Sequence, residues 1–198
     1  MTVLGLRVLI SGSGNVAQFA AEKCLHFGAK VISFSDSNGT IIEPNGFTRE
    51  QVDQVVAIKT ARGRCSQYQS PTGQYHPGKK PWQLVEAADV ALPAATQNEL
   101  DDADAAYLVE HGVKYLFEGA NMPSTPKAID VFKASGGAYF PAKAANAGGV
   151  AVSGLEMAQN SCRYFWTREE VDQKLQRIMS DIWKQSSETA KVKRKQKT

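Results

Sequence analysis

A glycine-rich segment constrains the fold of this chain most strongly. It runs from Gly12 to Ala17 with the spacing GxGxxA, and it separates an apolar run at residues 6–10 from an amphipathic run at residues 15–27. A buried strand that passes through such glycines into a helix presents backbone amides and the positive helix end to a pyrophosphate. The pattern predicts a dinucleotide site, in which Gly12 makes the tight turn, Ser13 follows it, and Gly14 lets the backbone approach the phosphates.

An acidic residue reinforces this prediction. Asp36 comes directly after a second predicted strand, at residues 30–35, and follows the glycines by about twenty residues. A carboxylate at this place in a strand-helix-strand unit accepts hydrogen bonds from the adenine ribose. By itself Asp36 favours NAD, because its charge repels the 2′-phosphate of NADP.

The choice between NADP and NAD stays open on these residues. Ser35 and Ser37 flank the carboxylate with hydroxyl donors. Three cations follow at the end of the next predicted helix, namely Lys59, Arg62 and Arg64. These cations could pair with a phosphate dianion, which favours NADP. They could equally complement the dipole of the helix whose C-terminus they occupy.

Strands and helices alternate along most of the chain. Short apolar runs predict strands at residues 88–92, 115–117 and 137–140, and periodic patterns predict helices at residues 48–61, 101–110, 127–134, 149–164 and 168–190. Asn38-Gly39 predicts a hairpin turn, and the Gly- and Pro-rich residues 63–81 predict an exposed loop. The order predicts an α/β fold of the doubly wound Rossmann type, a parallel sheet with helices on both faces, forming one dinucleotide-binding domain over residues 1–198.

Composition and charge disfavour several other classes of protein. Apolar residues make up 42% of the chain and charged residues 22%, without a run long enough to span a membrane. The net charge of +3 is concentrated in the last eight residues, which is typical of a solvated tail and argues against nucleic-acid binding. The three cysteines and three histidines lack metal-ligand spacing, and no secretory segment opens the chain, so we expect no metal and a cytoplasmic location.

Five motifs carry a resemblance to a known family. They are SGSGNVA at residues 11–17, SDS at residues 35–37, PAATQNE at residues 93–99, EGANMPS at residues 118–124 and PAKAANAGGVAVSGLEMAQN at residues 141–160. In these motifs the chain resembles the cofactor-binding, C-terminal half of hexameric glutamate dehydrogenases, particularly the NADP-linked enzymes. The resemblance implies oxidative deamination of L-glutamate to 2-oxoglutarate and ammonia, or the reverse, in a homo-oligomer.

The resemblance also assigns residues to the two ligands. It implies that the cofactor contacts Asn15, Val16, Ala95, Thr96, Gln97 and Asn121, the last of these on the nicotinamide side. It implies that the substrate cleft is lined by Asn146, Gly149, Val150 and Ser153, with Ser153 at the distal carboxylate of the substrate. A glycine-rich helix start at residues 146–149 suits a carboxylate on physical grounds as well.

Members of this family carry their catalytic lysine and aspartate in an N-terminal domain. The five motifs of this chain resemble the C-terminal half instead. We therefore expect no catalytic residue in this chain and negligible turnover by the chain alone. Two alternatives are a non-catalytic nucleotide-binding or interaction module of the same family, and a related dehydrogenase acting on leucine or phenylalanine. Ser153 disfavours the latter, because a hydroxyl suits a carboxylate better than an apolar side chain.

Overall fold

The computed structural model describes residues 2–195, except for the side chains of residues 194 and 195. The chain divides into two compact units, Met1–Pro141 and Ala142–Thr198. The first unit contains the glycine-rich segment.

A five-stranded parallel sheet forms the centre of the first unit. Its strands, in spatial order, are β2 (Lys30–Val31), β1 (Arg7–Ile10), β6 (Val90–Leu92), β7 (Tyr115–Phe117) and β8 (Ala138–Phe140). The order reverses between β1 and β6, because the chain winds first to one side of β1 and then to the other. In doubly wound sheets, ligands bind beyond the carboxyl ends of the strands at such a reversal.

Four helices cover the two faces of this sheet: α1 (Asn15–His26), α2 (Arg49–Thr60), α3 (Asp102–Glu110) and α4 (Pro126–Ala134). Val8 and Ile10 of β1 belong to a core with buried residues of α1 and α2, whereas the intervening Leu9 belongs to a core with buried residues of α3 and α4. The two cores alternate along the strand because successive side chains face opposite sides of a sheet. The predicted Rossmann-type α/β fold is confirmed.

The strand predicted at residues 30–35 is divided between two sheets. It leaves the parallel sheet after Val31, and its continuation β3 (Ser33–Asp36) pairs antiparallel with β4 (Gly39–Ile42). The predicted hairpin is present, but its two-residue loop is Ser37-Asn38 rather than Asn38-Gly39, and neither loop residue has a positive φ. The reason is that the Asp36 carboxylate accepts the N–H of Asn38 at 2.9 Å, so a side-chain turn replaces the expected backbone turn.

Residues 63–81, which the sequence predicts as an exposed loop, are more ordered than that. Strand β5 (Gln74–Pro77) completes a three-stranded antiparallel sheet in the order β3-β4-β5, and short 3-10 helices form at Cys65–Gln67 and Pro81–Gln83. The loop prediction was wrong because a distant residue organises the segment. The buried carboxylate of Glu43 accepts hydrogen bonds from Tyr68 at 2.6 Å and from Thr72 at 2.7 Å.

The second unit is helical. It consists of α5 (Ala142–Ala145), α6 (Ala147–Cys162) and α7 (Arg168–Lys195), with α6 packed against α7. The two long predicted helices are confirmed with shifted ends. Since α7 continues to Lys195, most of the basic segment predicted as a tail is helical, and residues 196–198 lie outside the described residues. No helix within residues 2–195 is long and apolar enough to cross a membrane.

Candidate functional site

Gly12 makes a turn that other residues could make only with strain. Its φ is +82°, and a Cβ built at this position would lie 2.9 Å from the carbonyl oxygen of Ala94. Its N–H donates to the Oγ of the buried Ser35 at 2.8 Å, which ties the turn to β3. The absence of a side chain at Gly12 therefore allows close packing between loops of the protein itself.

Gly14 has a different role from Gly12. Its φ is −84°, and a Cβ built there would meet nothing within 4 Å. It is the N-cap residue of α1, but among the described residues no side chain caps this helix, and its first turn holds no acidic residue. The start of α1 therefore has no side-chain cap from the described residues, and its residues Asn15 and Val16 are exposed.

Asp36, which the sequence predicts to bind the adenine ribose, accepts hydrogen bonds from the protein itself. Its side chain is only 7% exposed, and its two oxygens accept the N–H groups of Asn38 at 2.9 Å and of Cys65 at 2.8 Å. Burial raises the pKa of this carboxyl, but the two hydrogen bonds and the Lys59 ammonium, 3.8 Å away, lower the pKa further, to below its ordinary value. Asp36 is thus an ionised anchor for the backbone around it.

The three cations that follow α2 occupy different positions. Arg64 donates a hydrogen bond to the Oγ of Ser37 at 3.1 Å, and both side chains are exposed. Lys59 faces Asp36. Arg62 has a φ of +58°, a left-handed conformation that reverses the chain, so that Arg64 returns to Ser37. The structure therefore brings Ser37, Lys59 and Arg64 together at one corner, whereas the backbone of Arg62 provides the reversal.

The segment predicted along the cofactor, Ala95 to Gln97, forms an exposed loop after β6. A Cβ on Gly12 would lie 3.2 Å from the Cβ of Ala95, so this loop and the glycine turn are in close contact. In addition, the N–H of Ala94 donates to the Oγ of Ser11 at 2.8 Å. The loops beyond β1 and β6 thus meet where the strand order reverses.

Asn121 lies in a third loop, residues 119–124, beyond the carboxyl end of β7. The N–H groups of Gly119 and Ala120 donate to the carbonyl oxygen of Pro93 at 3.0 and 2.9 Å, which joins this loop to the one after β6. Asn121 is exposed. It therefore lies on the same edge of the parallel sheet as the glycine turn.

The four predicted substrate residues belong to the second unit. Asn146 precedes α6 as its N-cap residue, and Gly149, Val150 and Ser153 are exposed on that helix. Their spacing places the latter three on one side of the helix, where Ser153 donates a hydrogen bond to the Gly149 carbonyl oxygen at 3.3 Å. The structure thus groups the predicted substrate residues in one unit and the predicted cofactor residues in the other.

The thiols of the chain are free, and those of Cys24 and Cys65 are shielded. Burial raises the pKa of both Cys24 and Cys65 to about 11. Cys162 is exposed. Within the part of the chain that the structure describes, no three His, Cys, Asp or Glu side chains converge as metal ligands would.

The sequence patterns name Arg64 without its partner and do not name Glu99 as a site residue. The bond from Arg64 to Ser37 depends on the reversal at Arg62, for which an arginine gives no signal. Glu99 accepts hydrogen bonds from the loop after β6, and a signal for it exists, because an acidic side chain shortly after a polar turn can bind the free N–H groups of that turn.

Known proteins match most of this chain, and a family model matches all of it. The family model for glutamate/leucine/phenylalanine/valine dehydrogenases matches residues 1–198. The chain is 53% identical over 193 residues to the NADP-specific glutamate dehydrogenase of Giardia intestinalis, covering 96% of this chain and 43% of that protein. It is 55% identical over 182 residues to the NADP-specific glutamate dehydrogenase of Chlorella sorokiniana, covering 90% of this chain and 35% of that protein.

A solved structure agrees with these matches. The glutamate dehydrogenase of Plasmodium falciparum is similar with a TM-score of 0.90 and 47% identity, covering 96% of this chain and 41% of that one. The chain spans less than half the length of each of these relatives. Because the family match extends over every residue, the chain belongs to the glutamate/leucine/phenylalanine/valine dehydrogenase family.

Proposed function

We propose that this chain is the cofactor-binding part of an NADP-linked glutamate dehydrogenase, which interconverts L-glutamate with 2-oxoglutarate and ammonia. The observation that carries the proposal is the corner formed by Ser37, Lys59 and Arg64. Arg64 and Ser37 are exposed donors suited to a 2′-phosphate. The Asp36 charge, which would repel that phosphate, is directed to two backbone N–H groups and faced by Lys59. The names of the two curated relatives, both NADP-specific, support the same coenzyme.

The residues present fit a dinucleotide. In this proposal the pyrophosphate lies against the first turn of α1, where the space beside Gly14 would be filled by any side chain. Ser13, Asn15 and Val16 surround that position. The rest of the cofactor extends along the loop after β6 towards Asn121, which we place on the nicotinamide side.

The chain's part in the reaction is to bind and orient. A bound nicotinamide supplies hydride transfer to or from the substrate Cα. We propose that Ser153 donates its hydroxyl to the distal carboxylate of the substrate, with Asn146, Gly149 and Val150 beside it at the start of α6. The proton transfers at Cα need a positioned base and acid, and we assign neither role to a residue of this chain.

Ser153 also bears on the choice among the substrates of the family. A hydroxyl on an exposed helix face favours a carboxylate-bearing side chain over the apolar side chains of leucine, phenylalanine or valine. Homo-oligomeric assembly and a cytoplasmic location remain predictions of the resemblance and of the composition.

Titration of the chain with NADP⁺ and with NAD⁺ by calorimetry tests the proposal. We expect both to bind, NADP⁺ more tightly. Gly14→Val should abolish binding without unfolding the chain, since a Cβ at this position meets nothing within 4 Å. Gly154→Val is a matched control, because a Cβ there also meets nothing within 4 Å and the residue lies outside the proposed sites. Undiminished binding by Gly14→Val would overturn the assignment of the pyrophosphate.

A further inference from the structure

Glu99 is a half-buried carboxylate in the loop after β6, and the proposed cofactor contacts do not include it. One of its oxygens, Oε1, accepts the N–H of Ala95 at 3.0 Å and the N–H of Thr96 at 3.2 Å. These N–H groups are consecutive and belong to no helix or sheet. Glu99 thus fixes the turn that the proposed cofactor follows.

The same carboxylate also reaches the glycine turn. Ser11, the residue before Gly12, is close enough to Glu99 to lower the pKa of its carboxyl, and the Oγ of Ser11 accepts the N–H of Ala94 at 2.8 Å. The Ser11 hydroxyl therefore receives a hydrogen bond from the loop after β6. The loop after β6 is thus hydrogen-bonded at Ala94 to Ser11 and at Ala95 to Glu99.

The loop is held at its other end by the loop after β7. The N–H of Asn98 donates to the carbonyl oxygen of Met122, and the N–H of Leu100 donates to that of Pro123, each at 3.0 Å. Asn98 has a φ of +53°, a left-handed conformation that asparagine adopts more readily than most residues. Glu99 lies between these two anchored residues, so its side chain is directed back into the loop.

We propose that Glu99 is a positioning residue that sets the conformation of residues 94–97 and their distance from the Gly12 turn, and thereby the affinity for the dinucleotide. The inference rests on the proposed function, because it assumes that the cofactor lies along this loop. Glu99 itself contacts backbone N–H groups of the loop rather than the cofactor. Its effect reaches the cofactor through the atoms that it holds in place.

The electrostatics distinguish this role from that of a stabilising side chain. Burial raises the pKa of Glu99, and its hydrogen bonds and the charge of Lys80 lower the pKa by less, so the net shift is upward. Lys80 is itself paired with Asp104 at 3.4 Å and with Asp101 at 3.9 Å. The ionised carboxylate is therefore less favourable in the folded chain than in the unfolded chain. A neutral side chain of the same shape should relieve that cost.

Comparison of Glu99→Gln with wild type tests the proposal. We expect the variant to bind NADP⁺ about tenfold more weakly at neutral pH, since two N–H groups lose a charged acceptor, while its Tm stays equal to or above that of wild type. The ratio of wild-type to variant affinity should fall towards one as the pH drops and Glu99 protonates. Protonation of the 2′-phosphate affects both affinities equally and therefore does not change this ratio. Glu110→Gln, the same change at an exposed position of α3, is the control and should leave binding unchanged.

Amide NMR of the chain without cofactor tests the contact itself. The N–H resonances of Ala95 and Thr96 should shift together with the titration of Glu99 in wild type and should not titrate in Glu99→Gln. If the wild-type chain binds the dinucleotide and Glu99→Gln binds it equally tightly, this inference is wrong and the proposed function stands. The same holds if the amides of Ala95 and Thr96 do not titrate in wild type. Failure of the wild-type chain to bind either dinucleotide overturns the proposed function and this inference with it.

Discussion

Two carboxylates on opposite sides of the glycine turn, Asp36 in the β3–β4 corner and Glu99 in the loop after β6, bind their surroundings in the same way. Each accepts two backbone N–H groups and is influenced by one lysine. Burial raises the pKa of both carboxyls. At Asp36 the hydrogen bonds and Lys59 outweigh burial, whereas at Glu99 the hydrogen bonds and Lys80 do not.

The comparison shows that similar hydrogen bonds can accompany opposite net pKa shifts. The ionised form of Asp36 stabilises the fold, because its pKa is lowered on folding. The ionised form of Glu99 reduces stability, because its pKa is raised on folding. Ionisation of Glu99 thus costs stability, while its hydrogen bonds hold the backbone at Ala95 and Thr96.

The largest effect that we expect is in turnover. Since both carboxylates face backbone N–H groups, neither is placed to move a proton at the substrate, and well-oriented acid and base groups supply roughly 7 to 11 kcal/mol of barrier reduction. The chain alone should therefore show negligible glutamate-dependent reduction of NADP⁺, followed by the absorbance of the reduced nicotinamide. The full-length Giardia intestinalis enzyme, assayed alongside, is the positive control. Substantial turnover by the chain alone would mean that one of its own side chains acts as the base.

Asp36→Ala should cost the next largest amount, about 3 kcal/mol of unfolding free energy in urea denaturation, because two N–H groups lose an ionised acceptor. Asp53→Ala is the control, since it removes only an exposed ion pair with Arg49. The stability from Asp36 is present above its unfolded pKa and is lost as the pH falls through its lower folded pKa. The loss of unfolding free energy caused by Asp36→Ala should therefore become smaller in acid. If the loss did not change with pH, the stabilising form of Asp36 would not be the ionised one.

Thiol labelling reports on the Asp36 corner, because the N–H of Cys65 binds that carboxylate. Near pH 8 the fraction of thiolate at Cys65 should be about a hundredfold below that of an unperturbed cysteine, since its pKa is about 11. We expect only Cys162 to react rapidly with a thiol reagent in the native chain, and all three cysteines to react after denaturation. Rapid labelling of Cys65 in native wild type would show that the corner is more open than described.

The smallest effect concerns coenzyme preference. Arg64→Ala should weaken NADP⁺ binding about tenfold and NAD⁺ binding little, because only NADP⁺ carries the 2′-phosphate that Arg64 and Ser37 can bind. Replacing Lys59 and Arg62 together should also weaken NADP⁺ more than NAD⁺. Calorimetric titration of both dinucleotides measures this preference. If Arg64→Ala and the double variant weakened both dinucleotides equally, these cations would act on structure rather than on the phosphate.

Local patterns predict the parallel sheet and its helices well. The GxGxxA turn and the periodic helices depend on neighbouring residues, and the structure agrees with them to within a few positions. The antiparallel sheet is harder to predict from the sequence. The segment that leads into β5 is held by a hydrogen bond from Tyr68 to the distant Glu43. The hairpin loop is displaced by one residue because an aspartate side chain, rather than a glycine, makes the turn.

Candidate site residues are predictable by type but not by partner. Asp36 is recognisable as an acidic residue after a strand, yet its low exposure and its bond to Cys65 depend on a segment 29 residues away in sequence. Arg62 and Arg64 cannot be ranked from sequence, since the reversal at Arg62 is a left-handed conformation that arginine rarely adopts. Such long-range hydrogen bonds leave no periodic trace.

The early departure of the chain from β2 has a consequence for self-association. β2 contributes only Lys30–Val31 to the edge of the parallel sheet, and the outward carbonyl groups there are already taken. The carbonyl oxygen of Val31 accepts the N–H of Phe47 at 2.7 Å, and that of Ile32 accepts the N–H of Glu43 at 3.0 Å. An exposed strand edge is a template on which another chain can add a strand and begin aggregation. By folding its own residues 43–47 over this edge, the chain closes that side of the sheet to intermolecular pairing.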